Sequence, residues 1–146
     1  MKEILLSPNF ALRELTRSYQ AEKHGIVNKP TDDDIDALRH LCNEVLQPLR
    51  DFYKRPIVVS SGFRCKTLNR VVGGSLSSQH LKGEAADIVF PNLSVAIDWM
   101  CFISHNCTFD QMLLERNRRS GAEWLHVSCC RNIVKNRHQI KIVQVG

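Results

Sequence analysis

The 146 residues, 43% apolar and 24% charged, suffice for one compact domain and are too few for two of ordinary size. That composition excludes a disordered, collagen-like or coiled-coil chain, and the apolar run from Trp99 to Ile103 is far shorter than the ~18 residues that span a bilayer. Twenty Lys and Arg against fifteen Asp and Glu leave a formal charge of +5, which suits anionic partners, yet the late basic residues (Arg116, Arg118, Arg119, Arg131, Lys135, Arg137, Lys141) fit no nucleic-acid motif and read as solvated faces.

The first residues offer only Ile4-Leu5-Leu6 as an apolar core, whereas a secretory signal needs roughly 7–15 residues, so no export signal is expected. A pair of short helices is expected from Phe10 to about Lys23, ended by Gly25 in a left-handed cap. Asn28-Lys29-Pro30 then stops the chain, and Thr31 restarts it as an N-cap. The aspartates that follow complement the helix dipole, and Ile35, Leu38, Cys42, Val45, Leu49 and Phe52 recur at helical spacing. Pro48 lies inside this helix and predicts a kink or a broken last turn.

After Pro56 the pattern turns β-branched. Strands are expected at Ile57–Ser60, Ala85–Phe90, Met112–Glu115, Trp124–Cys129 and Ile140–Val145, with a helix over Ser94–His105. No repeat or linker divides the chain, so residues 1–146 read as one α+β domain with N-terminal helices and a mostly antiparallel sheet. The six cysteines have no zinc-knuckle spacing and are expected to be buried free thiols. Cys129 and Cys130 should sit at a strand end, one facing in and one out.

Chemistry concentrates in Ser78-Gln79-His80-Leu81-Lys82-Gly83-Glu84-Ala85-Ala86-Asp87, where a histidine precedes by seven residues an aspartate on an apolar strand. Zinc accepts both donors, and Gly83 lets the loop between them turn sharply; alone, the pair also fits a hydrogen-bonded cap. A second segment, Glu123-Trp124-Leu125-His126, adds a histidine in an alternating strand. Two histidines and one aspartate are the three protein ligands a catalytic zinc keeps, and Glu123 is then the candidate general base. Residues three apart in a regular strand point to opposite faces, so Glu123 is expected on the loop before the strand, or re-aimed by a bulge. A regular strand carrying both residues would count against its role.

The run S-x-H-x-x-G-x-A-x-D at Ser78 to Asp87, followed by E-x-x-H at Glu123 to His126, resembles the paired signature of the M15 metallopeptidases. The resemblance extends to Ser60-Ser61-Gly62-Phe63-Arg64, where Phe63 replaces the family's frequent tyrosine, to Asn69 with Val72-Gly73-Gly74-Ser75, and to the opening Leu6-Ser7-Pro8-Asn9-Phe10. It implies a hedgehog/DD-peptidase-like fold and one zinc ion held by His80, Asp87 and His126. Glu123 would be the base and Arg64 would hold the oxyanion or a substrate carboxylate. Ser78, Gln79 and Trp124 are expected beside the substrate.

The implied reaction is hydrolysis of a peptide bond in a peptidoglycan stem, of the D-Ala-D-Ala carboxypeptidase type, by a monomer. A lysin-like endopeptidase and a non-catalytic zinc module that binds a glycan or protein are the alternatives. His24, His40, His105 and His138 match no part of the signature.

Overall fold

The computed structural model describes residues 2–146. Strands β1 (Leu5–Ser7) and β2 (Phe10–Ala11) form a small antiparallel hairpin, followed by a 3-10 turn at Leu12–Leu15 and by α1 (Tyr19–Lys23). Phe10 therefore opens a strand and not the expected helix: the turn at Pro8-Asn9 folds the chain back and buries Phe10 with Leu6 and Leu15. Gly25 takes the expected left-handed conformation, with φ +63°.

Thr31 caps α2 (Asp32–Leu41) through a reciprocal pair: its hydroxyl accepts from the Asp34 N–H, and the Asp34 carboxylate accepts from the Thr31 N–H. The helix runs through one π turn at Cys42–Leu46 into α3 (Gln47–Tyr53). That turn is the form the expected disturbance takes. Gln47 bonds back five residues to the Cys42 carbonyl, and Pro48 falls where a new helical segment begins and its missing N–H is least needed.

The remaining elements are β3 (Val58–Ser61), α4 (Lys66–Val71), β4 (Ala85–Val89), α5 (Leu93–Asn106), β5 (Gln111–Asn117), β6 (Glu123–Ser128) and β7 (Gln139–Val145). The five later strands form one sheet in the order β3-β4-β6-β5-β7. All pairings are antiparallel except β5 with β7, so the sheet is mostly antiparallel and the class is α+β. Both edges of β6 are occupied, by β4 and β5. The chain leaving β6 therefore adds β7 beyond β5, and parallel to it.

Side chains alternate across this sheet, and its two faces do different work. Ala86, Ile88, Met112, Leu125 and Val127 turn toward the helices and join Leu38, Leu41, Leu49, Trp99 and Ile103 in the core. Asp87, Leu113, Glu115, Trp124 and His126 occupy the intervening positions and line a cavity on the other face. Among the described residues no helix is long and apolar enough to cross a membrane.

All six cysteines are free. Cys42, Cys107 and Cys129 are buried, Cys65 and Cys130 half-buried, and Cys101 exposed, which departs from the expectation of burial throughout. Burial pushes the Cys42 and Cys129 thiols up to about 12 and Cys107 to about 11, so these three stay protonated near neutral pH and are poor nucleophiles or ligands in that form.

Candidate metal centre

His80 lies in a 3-10 turn at Gln79–Lys82, Asp87 at the centre of β4, and His126 directly opposite Asp87 on β6. Cross-strand register is thus what joins the second histidine to the first motif. Their donor atoms all lie within 4.8 Å of one another, and all three residues are buried. Asp87 Oδ1 is 3.3 Å from His80 Nε2 and 3.0 Å from His126 Nδ1. The other nitrogen of His80, Nδ1, donates to the Gly62 carbonyl at 2.7 Å, which fixes the tautomer and turns the Nε2 lone pair toward Asp87.

The turn holding His80 is built by its neighbours. Ser78 Oγ accepts from the His80 N–H at 3.2 Å. Gly83 ends the turn at φ +71°, and a Cβ there would meet the Asp34 carbonyl of α2 at 2.5 Å. Gly83→Ala combines left-handed strain with a backbone clash and is expected to cost about 2–4 kcal/mol. In thermal unfolding this reads as a Tm lower by roughly 5–12 °C.

Burial alone would raise the Asp87 pKa, but the charges and hydrogen bonds of His80 and His126 outweigh it and hold the carboxyl well below the usual range. Arg64 completes this inner layer, with Nη2 3.5 Å from Asp87 Oδ2. Its Nε donates to Ser61 Oγ at 3.0 Å and its Nη1 to Asn69 Oδ1 at 3.2 Å, so the fork is held before any ligand arrives.

Of the expected site residues, Arg64, Ser78, Gln79, His80, Asp87, Trp124 and His126 all line one cavity of about 780 Å³. Glu123 does not. It is the first residue of β6, paired with Arg116 in unbroken register, so it neither precedes the strand nor sits in a bulge. Strand parity turns it away from His126; it is exposed and absent from the cavity wall. That placement counts against Glu123 as the base.

The same parity brings Glu115 to the cavity. It is the cross-strand partner of Trp124, its side chain is only 15% exposed, and its Oε1 lies 3.9 Å from His126 Nδ1. Burial, with help from the Asp87 charge, raises its pKa above the ordinary glutamate value against the pull of His126, His80 and Trp124. A charged residue closing the apolar run Met112-Leu113-Leu114 is a visible signal in the sequence, but its direction depends on a register that the sequence does not display.

A family model described as Peptidase M15 matches residues 8–128, including every residue of this constellation. The chain belongs to the M15 peptidase family. No curated protein matches it closely enough to count as a relative.

For an M15 peptidase the donor chemistry is apt: two imidazoles and a carboxylate converge, and the second nitrogen of His80 is engaged with a backbone carbonyl, a common support for a metal-bound histidine. Beyond this cluster, Gln79 of the peptidase donates its amide to Asp110 at 3.0 Å, and Asp110 also holds Arg137. The Arg137 hydrogen bond, set against burial, lowers the Asp110 pKa. Its contribution to stability is therefore full above the ordinary value of 3.8 and lost as pH falls from there through the lowered folded value. Urea unfolding between pH 2 and 5 is expected to show a shallower acid loss in Asp110→Asn than in the wild type.

Proposed function

We propose that the chain is a zinc-dependent hydrolase of peptide bonds in peptidoglycan stem peptides, of the D-Ala-D-Ala carboxypeptidase type. The convergence of His80, Asp87 and His126 in the cavity of an M15 peptidase carries this reading. His80 Nε2, an Asp87 oxygen and His126 Nδ1 would hold the ion. When bound, zinc supplies Lewis acidity, lowering the pKa of water to about 7 and withdrawing electrons from a carbonyl oxygen.

The chain's own groups do the rest. Glu115, on the same face as His126, accepts a proton from the attacking water as its oxygen bonds to the carbonyl carbon. The Arg64 guanidinium donates to the carbonyl oxygen as negative charge develops there. When the C–N bond breaks, Glu115 returns its proton to the leaving amine, giving one carboxylic acid and one amine. Trp124 walls the cavity beside Glu115 and limits its contact with bulk water.

One observation favours an endopeptidase as the second reading. The metal cavity adjoins a second cavity of about 1010 Å³, and Gln79 and Arg137 line both, so a chain can continue past the reacting centre. Mass spectrometry of digested cell walls separates the two readings: loss of one terminal alanine supports the carboxypeptidase, and new internal amino termini support the endopeptidase. Stoichiometric zinc without release of any wall fragment would sink both and leave a binding module.

A further inference from the structure

Arg137 belongs to the basic group that reads, in the sequence, as a solvated face, and it lies beyond the segment matched by the M15 family model. The structure gives it a fixed place. Asp110, only 1% exposed, accepts the Arg137 backbone N–H and Nε on Oδ1, each at 2.9 Å, and Nη2 on Oδ2 at 2.7 Å. The Gln79 amide fills the remaining side of Oδ2 at 3.0 Å, so one buried carboxylate ties Arg137 to the residue preceding the proposed ligand His80. Among the described residues Nη1 has no hydrogen-bond partner, and the side chain is 56% exposed where the two cavities meet.

A guanidinium fixed on one edge and free on the other is prepared to bind an anion. The bidentate contact removes most of the rotamer entropy that an exposed arginine loses on binding, and a guanidinium is charged at any physiological pH. Because Asp110 balances its charge, attraction comes from directed hydrogen bonds at short range and not from a long-range field. Arg64 does not duplicate this role, since it lies deeper in the cavity beside Asp87, where its remaining N–H groups face the proposed reacting carbonyl.

We propose that Arg137 is a specificity residue that anchors a carboxylate of the peptide substrate at the junction of the two cavities. The inference rests on the peptidase reading of the metal centre and extends it to acidic peptides. Two sources of carboxylate are open: an acidic side group within the peptide, or its C-terminus.

The test uses zinc-loaded protein and three probes: the stem peptide L-Ala-γ-D-Glu-L-Lys-D-Ala-D-Ala, its D-isoglutamine form, and its C-terminal amide. Binding is read from the fluorescence of Trp124, which lines the cavity, in a Glu115→Gln background, and turnover is read in parallel with Glu115 intact. The protein is expected to bind the free acid about five- to tenfold more tightly than one of the two amides, and the amide that loses affinity names the carboxylate. Arg137→Gln should erase the difference, mainly through KM, with kcat within about twofold.

Asp110→Asn/Arg137→Gln leaves no buried carboxylate unpaired and should behave alike, while zinc content stays at wild-type level in every variant. Equal binding of all three peptides, or a preference that survives in both variants, overturns the anchor. Absence of turnover with the binding preference intact overturns the peptidase reading and leaves the anchor standing.

Discussion

Replacing Glu115 with glutamine is expected to lower kcat about 10³-fold while leaving zinc content and Tm near their wild-type values. The amide keeps the shape of the carboxylate and its place opposite Trp124, but it cannot accept a proton from water at neutral pH. Glu123→Gln is the paired control. Its side chain is exposed and turned from His126, so its kcat should stay within about twofold of wild type. Near-normal hydrolysis of purified peptidoglycan by the Glu115 variant, with loss in the Glu123 variant, would return the base to the E-x-x-H motif and require β6 to rearrange on binding.

Zinc is expected to raise the melting temperature of metal-free protein by roughly 10 °C when supplied at about a thousand times its Kd, equivalent to about 4 kcal/mol of linkage. The three candidate ligands lie on the turn before β4, on β4 and on β6, so one ion would cross-link the segments that define the cavity. His126→Ala is expected to lose this shift and all turnover. The variant should still fold, because β6 retains Leu125 and Val127 in the core. A shift below about 1 °C in the wild type, measured by calorimetry with and without zinc, would refute the three-residue metal site.

The His80, Asp87 and His126 cluster was readable in the sequence because each of these candidate ligands lies in a short motif with strong local chemistry. A histidine after a capping serine, a glycine able to end the turn, and an aspartate within an apolar strand are all local features. The π turn before Pro48 was readable in part, since proline announces a disturbed helix without saying what form it takes. Phe10 misled because an aromatic residue near apolar neighbours suits either element, and the turn at Pro8-Asn9 decided for a strand.

Glu115 and Arg137 were hidden for a common reason. One reaches the cavity by facing Trp124 across two strands, and the other is fixed at its edge by reaching Asp110 from 27 residues away. The E-x-x-H spacing offered a base within the same motif, yet alternation along β6 turns that glutamate away from His126.

Length, composition and hydrophobic periodicity by themselves determined the α+β class and the principal helices and strands, and two short motifs resembling those of the M15 family singled out three residues suited to a metal. Those properties depend on neighbours within a few positions of each other. Tertiary structure alone decided which carboxylate faces the cavity, where β7 joins the sheet, and which late arginine is fixed where the two cavities meet. A one-residue change of register exchanges the two faces of a strand, and pairing between distant segments is what sets that register.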